Sequence, residues 1–433
     1  AALGGGVAVL AMTRPDAGQL AWAPSLLAAA AAFAGLRLLT SRLRSALEIE
    51  ASSPEHRAAV AAWSTPPPGA ATARRQFLIG AGAAVALGVL ASIGAAAITA
   101  TSKAVETIRN ALTLPAPSVL ASPVPISAEL GIEGLARVVT PNDRFFRIDT
   151  ALLVPEIDPA DWSLRIHGLV EQEVTITWNE LVSLPLEEHY TTLACVSNPV
   201  GGDLIGNAKW LGFPIRDLLA RARPTSSADM VLSRSIDGFT ASTPLEALTD
   251  PDRAAILAVG MNDEPLPAQH GFPLEHGFPV RMVVPGLYGY VSATKWVTEL
   301  EVTRFDRATA YWTDRGWAEL GPTKLHSRID VPRFDDSLTT GEVVIAGVAW
   351  HQHIGIAGVE VQIDDGPWRP AQLASAISDD TWVQWSYPWA ASAGESTIRC
   401  RAISADGQTQ TAALAPPHPD GATGWHERRV TVR

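Results

Sequence analysis

The hydropathy pattern divides the chain into three stretches. Residues 76–100 form an apolar run of 25 residues without a charge, long enough for a helix to cross a hydrocarbon core of ~30 Å. A second stretch, about 20–39, is interrupted by Pro24 and Arg37 and is the weaker span. The pattern therefore predicts N-terminal transmembrane helices within a membrane region over 1–100, followed by a linker over 101–137 with prolines at 115–125. Beyond Val138 short apolar strands alternate with Pro, Gly and Asp, and helical spacing is confined to brief segments such as Ile215–Ala222. That mixture predicts an α+β domain over 138–338. From about residue 342 strict alternation takes over, in 343–348, 359–363, 397–403 and 429–432, and Asp364-Asp365-Gly366 is a hairpin signal. Strands at this spacing predict an immunoglobulin-like β-sandwich over 339–433, with the boundary near 332–340.

Composition sharpens the division. Twelve of the fourteen tryptophans lie after residue 100, so the water-soluble body starts there. A formal net charge of −12 opposes binding to a phosphate backbone, which needs a basic face, and excludes nucleic acid as a natural partner. Arg42, Arg44, Arg57, Arg74 and Arg75 lie between the two candidate spans, with Arg37 near the end of the first. Short positive loops stay in the cytoplasm, so the body is expected on the extracytoplasmic side of the cell membrane. Arg74-Arg75-Gln76-Phe77-Leu78 before the apolar run is similar to a twin-arginine export signal; two arginines that merely anchor a helix end are the alternative. No Cys-x-x-Cys-His occurs, and neither candidate span contains a histidine, so a haem within the chain is not expected.

The two cysteines, Cys195 and Cys400, are too few for a disulfide scaffold or a paired-thiolate zinc site, although an exported body would permit one bridge between them. Thr191-Thr192-Leu193-Ala194-Cys195-Val196-Ser197-Asn198-Pro199-Val200-Gly201-Gly202 opens as a strand and breaks into a polar turn. A thiolate at a strand end is a soft metal ligand, and Ser197, Asn198 and turn amides suit an anionic cofactor. On residues alone, a lone cysteine is more often a small buried hydrophobe.

The segment also resembles the cysteine loop of the sulfite oxidase family of molybdopterin-dependent oxidoreductases, and the resemblance continues along the chain. Thr140-Pro141-Asn142-Asp143-Arg144-Phe145-Phe146 is similar to an early pterin-binding stretch. His276-Gly277-Phe278-Pro279-Val280-Arg281, with Val284-Pro285-Gly286 behind it, is similar to a second; Lys295-Trp296, with Ala293 and Thr294 before it, is similar to a third. The resemblance implies a Mo-molybdopterin cofactor with Cys195 as the protein's metal ligand. It further implies cofactor contacts from Asn142, Phe145, Phe146, Ser197, Asn198, His276, Arg281, Ala293, Thr294 and Lys295. A tandem His270-Gly271-Phe272-Pro273 precedes His276-Gly277-Phe278-Pro279, and His276 keeps the family spacing to Arg281.

Substrate residues depart from the family pattern. Where sulfite oxidases place arginines, the chain has Arg147 displaced after Phe145-Phe146, and Tyr290-Val291-Ser292-Ala293-Thr294 before Lys295. Trp317 stands where a tyrosine is expected, and Arg315 is the nearby charge that could act with it. The expectation is two-electron oxygen-atom transfer on a small sulfur- or nitrogen-oxide-type substrate, with a neutral organic oxide such as a sulfoxide favoured over sulfite; exported methionine sulfoxide reductases of the superfamily are the precedent. The resemblance also implies a homodimer through the sandwich. A separate electron partner, a cytochrome or quinone-linked protein, follows from the lack of a relay in the chain. The competing reading is a non-catalytic membrane-anchored binding or assembly protein that keeps the fold.

Overall fold

The computed structural model describes residues 112–433 apart from 152, 266–274 and 335. The expected spans over 20–39 and 76–100, the Arg74-Arg75 motif and His270 lie outside the described residues. Among the described residues no helix is long and apolar enough to cross a membrane. The body is mostly β, with helices of only four to eight residues, so the helical share falls below what an α+β reading expects.

The first half begins with β1 (Ser163–Gly168), β2 (Val174–Thr177), α1 (Trp178–Ser183), β3 (Glu187–Ala194) and β4 (Ile205–Pro214). It continues through α2 (Ile215–Ala222), β5 (Met230–Ser235), β6 (Thr240–Pro244), α3 (Leu245–Thr249) and β7 (Ile256–Met261). It closes with β8 (Glu264–Pro265), β9 (Arg281–Val283), α4 (Gly289–Ser292) and β10 (Val297–Thr303). Two sheets result. One has the order β2-β1-β10-β5-β6, with β1 and β10 parallel; the other runs β3-β4-β7-β8, with β9 also on β7.

Local sequence explains the elements. In β1, Leu164 and Ile166 point inward while Ser163 and Arg165 stay in solvent, the period of a strand with one wet face. Thr177 and Glu180 form a reciprocal capping box that starts α1. Helix α2 buries Ile215, Leu218, Leu219 and Ala222, a single stripe at helical spacing. Strand β7 is buried at every position because its sheet lies between two cores: Leu257 and Val259 join Trp162, Leu164 and Met282, while Ile256, Ala258 and Met261 join Phe145, Trp210 and Phe278.

The second half contains β11 (His326–Val331), β12 (Gly341–Trp350), β13 (Ile356–Ile363), β14 (Arg369–Pro370), β15 (Gln372–Leu373), β16 (Val383–Ala391), β17 (Gly394–Ser404) and β18 (His426–Val432). They pair into two antiparallel four-stranded sheets, β11-β12-β16-β15 and β14-β13-β17-β18. Ile345, Trp385, Val361, Ile398, Cys400 and Val430 form their shared core. Cys400 is a free thiol fully inside that core, and Cys195 is free as well, so the permitted bridge between them does not form.

The two halves are fastened behind β3. Thr192 N–H donates to the Asp380 carbonyl at 3.0 Å, and Trp382 N–H donates to the Thr192 hydroxyl at 2.8 Å. The Trp382 indole reaches the Val138 carbonyl at 2.8 Å. Tyr288, Val291, Val348 and Trp350 fill the apolar part of the seam. The strand that ends at Cys195 is thus held from one side by its own sheet and from the other by the second half.

Candidate active site

Cys195 is the first residue after β3, and its N–H donates to the Leu204 carbonyl at 2.9 Å. The turn that follows is closed by Asn198, whose N–H donates to the Cys195 carbonyl at 3.1 Å and whose Oδ1 accepts the Leu204 N–H at 3.0 Å. Gly201 adopts φ 76°, and a Cβ there would fall on the His426 ring of β18. Arg328 of β11 donates to the Gly202 carbonyl at 2.8 Å while ion-pairing with Asp330 at 2.6 Å. The thiol is largely buried, which pushes its pKa up, and the backbone N–H and hydroxyl of Ser197 oppose that rise. Ser197 is therefore placed to stabilise negative charge on sulfur.

Cys195 lines a cleft of about 920 Å³, solvent at its mouth included. His276, Arg281 and Lys295 contribute its basic lining. Arg281, 5% exposed, donates to the carbonyls of His276 at 3.1 Å and Ala293 at 3.5 Å and lies 5.0 Å from the Trp210 ring. No carboxylate among the described residues ion-pairs with it, and burial alone lowers its pKa to about 9. That fall is the cost of burying a cation with no compensating carboxylate among the described residues. Lys295 is largely shielded, its side chain 10% exposed, and is lowered to about 8 even though its Nζ lies 2.8 Å from Asp149 Oδ2; here desolvation outweighs the ion pair. Gly277, at φ 106°, lets the chain pass against Lys295 and Arg281, where a Cβ would press on both side chains. Trp296 adopts φ 52° immediately after Lys295, a costly backbone state for a bulky residue that concentrates at functional sites.

His276 is lowered to about 3, first by desolvation and then by Arg281 and Lys295, so it is neutral at physiological pH. It packs edge-on against Phe145 at 5.7 Å, and its Nε2 is 3.4 Å from the Asn142 carbonyl. The Ser235 hydroxyl, 3% exposed and also lining the cleft, has no hydrogen-bond partner among the described residues. A buried orphan hydroxyl needs an explanation, and a polar ligand in the cleft supplies one.

Of the residues expected at the site, Phe145, Phe146, Cys195, Ser197, His276, Arg281, Ala293, Lys295 and Trp317 line this one cleft. Asn142, Asn198, Thr294 and Arg315 do not. Asn142 bonds Asn262 at 2.7 Å; Thr294 is fully buried with its hydroxyl 2.7 Å from Ser233. Arg315 stacks 3.6 Å over Tyr311 and donates to its carbonyl at 2.6 Å, a local arrangement that keeps its charge away from the cleft. Arg147 is likewise drawn off, paired with Asp149 at 2.9 Å and Glu275 at 2.7 Å. Sequence reading missed Ser235, Asp237 and Phe239. They sit around the β5–β6 turn, whose only sequence signal is Asp237-Gly238.

A soft thiol with two donors, a buried guanidinium without a carboxylate partner among the described residues and a hydroxyl likewise unpaired there share one cleft, an arrangement that suits an anionic prosthetic group. Residues 151–312 match the family model described as oxidoreductase molybdopterin binding domain. The mitochondrial sulfite oxidase of Homo sapiens is 28% identical over 326 residues, covering 64% of this chain and 58% of its own length. The uncharacterized oxidoreductase YuiH of Bacillus subtilis is 28% identical over 160 residues, covering 37% of this chain and 74% of that protein. A chain of the sulfane dehydrogenase SoxCD from Paracoccus pantotrophus has a similar fold, with TM-score 0.57, 22% identity, and coverage of 68% of this chain and 83% of that chain. Over residues 151–312 the chain is similar to the sulfite oxidase-like molybdopterin oxidoreductases, and Mo-molybdopterin is the cofactor that this similarity implies. The chain spans only 58% of the length of the first curated relatives it matches.

Proposed function

We propose that this chain carries out two-electron oxygen-atom transfer on a small sulfur- or nitrogen-oxide-type substrate, with Cys195 as the protein ligand to molybdenum. The observation that carries the reading is the shared cleft: the Cys195 thiol, with Ser197 donating to it, faces the same space as the buried Arg281 and the orphan Ser235 hydroxyl. When bound, the pterin-chelated metal supplies the two-electron oxygen chemistry. The residues supply position and charge. Arg281 would neutralise the phosphate of the cofactor, and its planar donors suit that anion. Neutral His276 would border the pterin without adding charge, and Ser235 would give the pterin edge a hydroxyl partner. Phe145 and Phe146, stacked at 5.2 Å, wall the cleft against water.

In the same reading, residues 138–338 form the cofactor domain, and 339–433 form an immunoglobulin-like sandwich of the type that supports a homodimer. An N-terminal membrane region over 1–100 would tether the body on the extracytoplasmic side, where a cytochrome or quinone-linked protein exchanges electrons with it. Metal analysis tests the core of the proposal. The chain purified from a cofactor-competent host should hold about one molybdenum per chain, as a single-metal cofactor site requires. Cys195→Ser should fold, as judged by circular dichroism, and lose turnover of every oxide. A folded wild-type chain without molybdenum would support the non-catalytic reading instead.

A further inference from the structure

We propose that the second half sets the place of the Cys195 sulfur by holding both ends of its loop, and that Gln352 is the positioning residue at the near end. What this does for turnover rests on the reading of Cys195 as the metal ligand.

Strand β3 is an edge of its sheet, so one side of its backbone has no strand partner. At its start that side is covered by the preceding chain, with the Glu188 N–H on the Val119 carbonyl at 2.9 Å. At its end the second half takes over. Thr192, 2% exposed, donates its N–H to the Asp380 carbonyl at 3.0 Å, and its own carbonyl accepts from Gln352 Nε2 at 3.1 Å. Its hydroxyl accepts the Trp382 N–H at 2.8 Å and donates to Asn207 Oδ1 at 3.0 Å. Every polar group of Thr192 is therefore bonded, and all but the last of these bonds come from turns beside β12 and β16.

Gln352 shows what the contact is for. It is 3% exposed, its Nε2 lies on Thr192, and its Oε1 is buried with no hydrogen-bond partner among the described residues. Turning the amide over would set that oxygen against the Thr192 carbonyl, so the donor is fixed and the acceptor stays unmet. An unmet buried acceptor costs stability, and a glutamine kept despite that cost serves the placement of Thr192.

The far end of the loop is held by the same half. The Gly202 carbonyl accepts from Arg328 Nη1 at 2.8 Å, and Gly201 lies against the His426 ring, whose Nδ1 accepts the Ile329 N–H at 2.9 Å. Gln352, Arg328 and His426 are all buried. Between these anchors the Cys195 main chain bonds within its own loop, to the Leu204 carbonyl and the Asn198 N–H. A shift at either anchor therefore moves the sulfur relative to Arg281 and Lys295 on the same cleft. Groups that bind or react at a metal have to be held to within about 0.5 Å, so such a shift alters the metal's electronic structure.

The test compares the full chain as wild type, Gln352→Met and Arg328→Lys. Gln352→Met keeps the side-chain length, and one unmet acceptor, the Thr192 carbonyl, replaces another. Arg328→Lys keeps a cation beside Asp330 and loses the planar fork. Iodoacetamide labelling of the cofactor-free chain, resolved by peptide mass spectrometry, gives separate rates for Cys195 and Cys400. Cys400 is fully buried in the sandwich core, so its rate reports general loosening. Loss of one anchoring hydrogen bond should speed Cys195 about fivefold in either variant and leave Cys400 unchanged. In the loaded chain, electron paramagnetic resonance of the molybdenum should shift in Gln352→Met at unchanged metal content. Equal acceleration of both thiols, or of neither, overturns the proposal. So does an unaltered molybdenum signal in a loaded variant whose Cys195 is protected from the label. Labelling of Cys195 as fast in the loaded as in the cofactor-free wild type refutes the ligand reading alone, and the cofactor-free rates still decide the hold on the loop.

Discussion

Replacing Arg281 by methionine removes a guanidinium that the fold buries without a carboxylate among the described residues. Its pKa falls from the ordinary arginine value to about 9. At about 1.4 kcal/mol per tenfold change in proton affinity, that fall caps the cost of burying the charge near about 5 kcal/mol. Carbonyls of His276 and Ala293 and the Trp210 face already offset part of it. A net gain of about 1–3 kcal/mol in the cofactor-free Arg281→Met chain is the realistic expectation, since exchanging buried charge for apolar volume is often stabilising. At about 2–4 °C per kcal/mol for a domain of this size, the cofactor-free variant should melt a few degrees above wild type. Cofactor loading should reverse the order: wild type gains stability from the anion that neutralises Arg281, and the variant gains little and retains little molybdenum. Differential scanning calorimetry of loaded and unloaded chains, with metal analysis of each, measures both effects. A variant that is less stable unloaded, yet holds molybdenum as wild type does, would refute the assignment of Arg281 to an anion.

Further outcomes follow from other parts of the structure. His276 is lowered to about 3 when folded, so the unfolded chain takes up its proton first. Its share of stability is complete above the ordinary histidine value of about 6.5 and drains as pH falls toward 3. In His276→Gln, urea unfolding between pH 6.5 and 4 should show a pH slope smaller by about one proton; an identical slope would contradict the buried neutral ring. His326 and His426, each lowered to about 4, and His351, also lowered by burial, contribute to the slope that remains. Arg328→Met strands Asp330 and releases the Gly202 carbonyl, so a loss of about 3–5 kcal/mol in chemical unfolding is expected, with partial recovery on adding Asp330→Asn. Thr177→Ala should cost only about 1 kcal/mol, because it removes a cap on an exposed helix end and nothing else.

Local signals in the sequence carried far. Helix Ile215–Ala222 follows its apolar spacing, and the turn at Asp364-Asp365-Gly366 ends β13, with Gly366 N–H closing on the Ile363 carbonyl. The cysteine loop was legible because a strand-forming run breaks abruptly into Asn, Pro and Gly. Pairings across long sequence distances were not. Nothing in the pattern around Arg165 announces a parallel partner at Glu299, nor does Asp149 announce Lys295. For the same reason Arg315 read as a site charge: its spacing from Trp317 was visible, while the Tyr311 ring and carbonyl that capture it depend on a local turn. Ser235 and Asp237 were invisible because a hairpin turn gives no sign of which cleft it borders.

The most direct measurement is X-ray absorption at the molybdenum edge, on the loaded wild-type chain and on Cys195→Ser. A protein thiolate on the metal predicts that the serine variant loses one sulfur neighbour and gains a lighter one at shorter distance. An unchanged sulfur count in the variant would contradict the account at its centre.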